Sequence, residues 1–130
     1  MFEVDKTTIS MSIGDTGAVK FRTIGHTFNQ GTPGNPYDPE NPADLVLFTI
    51  KAANGNVLME RKYTPDTDGY FLVCFHNQDT KGWTAANYTW DVRFLIHPYY
   101  DENHNIIDVD QVITPYSPMA FTLRNTVGTV

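Results

Sequence analysis

The sequence predicts an all-β chain folded as an antiparallel β-sandwich of seven to nine strands, and three observations carry that prediction. Apolar and polar residues alternate with a period of two through most of the chain, the signature of strands half-buried in a sheet. Nine glycines and eight prolines fall between these stretches, at intervals of about ten residues, as turn signals do in a sandwich. The longest alternating stretch, Asn87 to His97 (NYTWDVRFLIH), puts Tyr88, Trp90, Val92, Phe94 and Ile96 on one face and Thr89, Asp91, Arg93 and His97 on the other. Its aromatic and β-branched content suits a pleated surface, and it reads as the central strand.

The other elements follow in order. Ile9, Met11 and Ile13 alternate with Thr8, Ser10 and Ser12 in a first strand, and Gly14-Asp15-Thr16-Gly17 supplies a turn. A second strand from Ala18 to about Ile24 is expected to close a hairpin with the first. Residues 25–43 form the longest irregular stretch, with prolines at 33, 36, 39 and 42. On a polyproline II helix these would share one face and suit an aromatic groove. The plainer reading, which we adopt, is that they stiffen a long connection.

Asp44 to Ala52 (DLVLFTIKA) is a strand with Val46, Phe48 and Ile50 on one face, and Asn54-Gly55 is a hairpin signal of type I′ leading to a partner strand, Val57 to Thr64. After Pro65 to Gly69, the stretch Tyr70 to His76 is a strand with Phe71, Val73 and Phe75 inward. Pro98 is expected to end the central strand, because proline has no N–H for a ladder. Tyr99 to Asn105 makes a polar tip. Ile106 to Thr114 and Met119 to Leu123 are two further strands, separated by a kink or bulge at Pro115 and Pro118. Residues 124–130 are expected to be a flexible tail, and all 130 residues to form a single domain.

Composition excludes some classes of function. Fifteen acidic residues against nine basic ones give a net charge of −6, and the basic residues are scattered, which argues against a nucleic-acid partner. No apolar run approaches the roughly 20 residues of a membrane helix, so no membrane partner is expected. One cysteine and an N-terminus without a secretion pattern point to synthesis in a reducing cytoplasm.

No pattern stands out as catalytic or cofactor-binding. Cys74 and His76 share a face of one strand, but same-face neighbours lie about 7 Å apart, too far for a direct thiol–imidazole bond. Asp101, Asn103, Asn105 and Asp108 resemble part of a calcium loop. Ile106 replaces the glycine at the sixth place and Val112 the glutamate at the twelfth, so a solvated hairpin tip is the preferred reading. Asn87-Tyr88-Thr89 fits a glycosylation sequon at the start of a buried strand and is discounted. The three serines sit in no nucleophile motif, and no cofactor is expected. Tyr37, Trp83, Tyr99, Tyr100 and Tyr116 are loop aromatics, expected either to plug the ends of the sandwich or to bind a partner, a glycan among the alternatives.

Four stretches together resemble a known family: ISMSIGDTGAVKF (Ile9 to Phe21), DLVLFTIKAANGNVLM (Asp44 to Met59), Gly69 to Phe75, and NYTWDVRF (Asn87 to Phe94). In this order they are similar to the immunoglobulin-like N-terminal domain of phage upper baseplate proteins. Two features depart from that pattern, the proline-rich stretch 25–43 and the YYDENHN tip. The resemblance implies an immunoglobulin-like fold. It also implies a non-enzymatic structural part of a virion, bound to other phage structural proteins or to copies of itself. The family continues into a receptor-binding region, so a chain ending at Val130 reads as an accessory or connector.

Overall fold

The computed structural model describes residues 2–23 and 26–125, with Tyr116 and Ser117 described by backbone alone. Among the described residues there are eight strands: β1 (Glu3–Asp5), β2 (Thr8–Ser12), β3 (Gly17–Arg22), β4 (Leu45–Lys51), β5 (Val57–Tyr63), β6 (Tyr70–Phe75), β7 (Ala86–Tyr100) and β8 (Ile106–Arg124). They form a six-stranded sheet in the order β1-β2-β8-β7-β4-β5 and a two-stranded sheet, β3-β6. The pairing is antiparallel except that β2 runs parallel to β8. This is an immunoglobulin-like β-sandwich, as the sequence predicts, and among the described residues no helix is long and apolar enough to cross a membrane.

The core lies between the sheets and follows the alternation. Val46, Phe48 and Ile50 from β4, and Trp90, Val92 and Phe94 from β7, face Phe21 of β3 and Phe71, Val73 and Phe75 of β6. At its centre three aromatic rings join the sheets. Trp90 lies 5.4 Å from Phe21 and 6.0 Å from Phe48, measured between ring centroids, so each contributes contact energy beyond its buried area. A carbonyl bond adds to this staple: Trp90 Nε1 donates to Thr7 O at 2.9 Å. Near the start of β7 the Tyr88 hydroxyl donates to the Thr84 carbonyl four residues upstream, the tyrosine corner of immunoglobulin-like domains.

Several expectations are corrected. The first two long strands do not form a hairpin: β2 pairs with β1 and β8, while β3 crosses to the other sheet and pairs with β6 from Gly17↔Phe75 to Arg22↔Tyr70. The turn between them therefore joins two sheets, with Gly14 at φ 85° and its N–H donated to Thr80 Oγ1. The Asn54-Gly55 turn does connect β4 to β5, but Gly55 alone has positive φ there. Gly55 N donates to Ala52 O, and Ala52 N to Asn56 O, which closes a three-residue loop ending in a glycine bulge instead of type I′.

Pro98 does not end β7, which runs on to Tyr100 with Pro98 opposite Val109. β4 reaches only as far as Leu45↔Leu95, so beyond that point β7 has one neighbour and the missing proline N–H faces no strand. The two expected C-terminal strands are one, β8. It accommodates an extra residue between Tyr116 and Met119 and another between Ile113 and Tyr116, the bulges expected from Pro118 and Pro115. Arg124 is not in a tail but pairs with Ser12; residues 126–130 lie outside the described residues, as does Ile24 at the expected end of the second strand. The outward face of β7 is also less wet than its pattern suggests. Asp91 is buried beside Lys51 Nζ, 3.8 Å from its Oδ2, and Leu95 is buried as well.

Candidate functional site

Strand directions sort the loops into two ends. Residues 13–16, 52–56 and 76–85 lie at one end, tied by Gly14 N to Thr80 Oγ1 and by Asn77 Nδ2 to Gly14 O. Residues 26–44, 64–69 and 101–105 lie at the other, where Gln30 Nε2 donates to Pro65 O at 3.0 Å. The proline-rich loop and the tip between β7 and β8 meet at this second end.

The proline-rich stretch is a built loop without a polyproline helix. Pro33-Gly34 turns the chain, with Gly34 at φ 78° and Asn35 N donating to Thr32 O. Thr32 Oγ1 donates to Asp38 Oδ2 at 2.7 Å and Glu40 N to Asp38 Oδ1 at 3.1 Å. These two bonds, the hydroxyl's first, hold the Asp38 carboxyl below the usual range. The prolines fix turns, and the side-chain oxygens take the N–H groups that the turns leave over.

Asp44 anchors this loop to the sheet. Its buried carboxylate accepts Asn29 N through Oδ2 and His97 N through Oδ1, both at 2.9 Å. His97 is a non-glycine residue at φ 52°, and Asp44 accepts the N–H that this backbone turns towards it. His26 Nε2 stands 3.7 Å from Asp44 Oδ2, with its ring edge-on to Phe28 at 4.9 Å.

The hairpin tip is fixed in the same manner as the β4–β5 loop. Asp101 N donates to Asn105 O and His104 N to Asp101 O, with His104 at φ 62° where the other hairpin has glycine. The Asp101 carboxylate accepts Asn105 N and Asn103 N at 2.9 Å each, and the Asn105 amide group besides. The Asn105 backbone bond comes first among the causes that hold Asp101 below the usual carboxylate range. Of the four calcium candidates, Asp101 is thus engaged in its own turn, Asn103 and Asn105 offer it backbone N–H groups, and Asp108 Oδ1 accepts Val109 N.

Tyr37, at the loop's apex, brings the two features together. Its ring stacks on His104 at 3.9 Å with 9° between planes, and Tyr100 meets it edge-on at 4.8 Å. A groove of about 420 Å³ opens on one side, lined by Tyr37, Pro39, Pro98, Tyr99, Tyr100 and Glu102 among others. A second of about 250 Å³ lies towards Lys62 and Tyr63. Tyr99 is 40% exposed and donates its hydroxyl to Asp110 Oδ1 at 2.8 Å, which pushes the phenol's pKa up. Burial pushes Tyr100 the same way.

Of the sequence candidates, Tyr37, Tyr99 and Tyr100 thus share one end. Trp83 stands at the other, half-buried against Tyr88 at 5.9 Å and Phe121 at 6.4 Å. The side chain of Tyr116 lies outside the described residues. Cys74 is half-buried and His76 lies past the end of β6, its backbone N–H donated to Asp79 Oδ2; among the described residues no hydrogen bond joins thiol to imidazole. His104 and Asp44 escape sequence reasoning, since neither a stacking partner for Tyr37 nor a carboxylate shared by two distant N–H groups leaves a local pattern. Among the described residues no group of three or more His, Cys, Asp or Glu side chains could hold a metal ion. Comparison with protein-family models, curated proteins and solved structures finds no match.

Proposed function

We propose that this chain is a non-enzymatic assembly module, a structural part of a phage-type particle that works through protein contacts at its loop-bearing end. The observation that supports this reading is the Tyr37–His104–Tyr100 cluster. It holds two long loops in one shape and leaves Tyr37 and Tyr99 about 40% exposed beside a groove. Rigid aromatic side chains around a groove suit a protein contact, since little freedom is lost when they are covered. The ionisable groups nearby are engaged in holding loops, Asp38 and Asp101 by backbone N–H groups and Asp44 by two more. The particle context comes from the sequence resemblance alone.

Mass spectrometry of purified particles tests the proposal, with the chain quantified against the major capsid and tail proteins. Recovery in fixed ratio to them is the expected result, reduced at least several-fold by Tyr37→Ala combined with Tyr99→Ala while circular dichroism shows the sheets still folded. Absence from particles overturns the particle reading. A glycan array that gives hits abolished by the same substitutions would replace protein contact with carbohydrate attachment.

A further inference from the structure

β8 runs for 19 residues, but β2 covers only Phe121 to Arg124 of it. From Ile106 to Ala120, one side of β8 has no strand beside it among the described residues. Such an edge presents a row of backbone donors and acceptors, and soluble proteins blunt it with prolines, bulges or charges. The lower part is blunted in this way by Pro115, Pro118 and their two bulges. The upper part has one bulge, between Ile106 and Asp108, and is otherwise blunted only by the charges of Asp108 and Asp110. From Asp108 to Ile113 the register with β7 does not shift, although Asp110 has no partner opposite the left-handed His97, and no proline intervenes; Ile107 is 66% exposed and Val112 is 51% exposed.

Val109 shows which groups the edge offers. It faces Pro98, and its N–H is taken at 2.9 Å by the carboxylate of Asp108. That N–H therefore points to the open side, and alternation along an antiparallel strand puts the N–H of Gln111 there too. The acceptor on Val109 is an exposed side chain, which the carbonyl of an incoming strand can replace.

Charge selects the occupant. Between Arg93 and Arg124 there is no Lys or Arg, whereas Asp101, Glu102, Asp108 and Asp110 all lie on this ribbon. A second copy would set this acidic edge against itself, and like charges on neighbouring strands repel. We infer that the open edge of β8 from Asp108 to Ile113 takes up an extended, lysine- or arginine-bearing segment of a partner protein as an added antiparallel strand. This contact adjoins the aromatic groove, which Ile107 also lines, but does not depend on the particle reading.

The test is amide hydrogen exchange followed by NMR on the full chain, with two blocked peptides of about nine residues, a strand's length. One alternates valine with lysine and the other valine with glutamate. The lysine peptide is expected to slow exchange at Val109 and Gln111 by about tenfold or more, as amides entering a ladder do, and the glutamate peptide to leave them unchanged. Gln111→Pro removes an edge N–H without touching the β7 ladder and abolishes the effect. Should that variant unfold, D108K/D110K decides: its preference switches to the glutamate peptide. No protection from the lysine peptide, equal protection from both, or protection that rises with the chain's own concentration and no peptide each overturns the inference.

Discussion

The indole of Trp90 donates to the carbonyl of Thr7 at 2.9 Å, joining β7 to the turn between β1 and β2. That carbonyl sits next to the sheet edge, and the indole is 2% exposed. Trp90→Phe keeps an aromatic ring near Phe21 and Phe48 but removes the indole's bond to the carbonyl and leaves a void where the second ring was. The expected loss is about 2–3 kcal/mol, most of it from the cavity, since Thr7 is exposed and water can take its carbonyl. Urea unfolding followed by the fluorescence of Trp83 measures it. A loss below about 0.5 kcal/mol, the scale of a surface change, would show that the indole bond contributes nothing.

Gly69 and Gly55 share a left-handed backbone, at φ 85° and 88°, yet differ in surroundings. An added Cβ on Gly69 would come within 2.8 Å of Thr23 Oγ1, the group that donates to the Gly69 carbonyl, while a Cβ on Gly55 meets nothing within 4 Å. Gly55→Ala should therefore cost about 1 kcal/mol for backbone strain alone. Gly69→Ala should cost about 2–3 kcal/mol, because the Thr23 contact must also break. Equal losses in paired thermal melts would refute the difference in packing.

The way these positions read in the sequence shows what a local pattern holds. Alternation identified the inner faces of β4, β6 and β7 because a buried face with a period of two is written in consecutive residues. It did not identify partners. Ile9 to Ile13 and Ala18 to Phe21 alternate equally well whether they pair with each other or enter separate sheets, and the deciding contacts, β2 with Phe121 and β3 with Phe71, lie far along the chain. Pro98 misled for a related reason. A missing N–H ends a strand only where a neighbour needs it, and the length of β4 decides that. At the loop end, Tyr37 and Tyr100 were legible as aromatics in loops. Their meeting over His104 was not, since it depends on the path of residues 26–44.

Acid should destabilise the fold through carboxylates held below their ordinary range. For Asp79, burial pulls the carboxyl up, but the His76 N–H at 2.7 Å and the Arg61 guanidinium at 2.8 Å more than offset it, and the net shift is downward. Asp101 is lowered by its loop's N–H groups. A carboxyl with a depressed folded pKa binds fewer protons folded than unfolded. Its contribution is complete above the unfolded value of about 3.9 and is lost as pH falls through the folded one. Urea midpoints should thus be flat from neutral pH to about 5 and fall below about 4. Asp79→Asn should cost about 1 kcal/mol at neutral pH, since the amide keeps an acceptor but not the charge, and should make the acid fall shallower. An unchanged acid slope would remove Asp79 from the account.

Asp44 offers the sharpest test of how the loop is held. Both its carboxylate oxygens accept backbone N–H groups, from Asn29 in the loop and His97 in β7, and the residue is 5% exposed. In Asp44→Asn one of the two oxygens becomes an N–H₂ group that faces an N–H donor, so one bond turns into a repulsion at a site closed to water. The expected cost is about 2–4 kcal/mol, the scale of breaking a buried charged acceptor, although the change is nearly isosteric. The damage should also be local. The left-handed backbone of His97 loses the carboxylate that accepts its N–H, and the amides of residues 29–43 should exchange faster than those of β3 and β6. Hydrogen exchange resolved by residue distinguishes this from a uniform loss of stability, in which loop and core amides would speed up together.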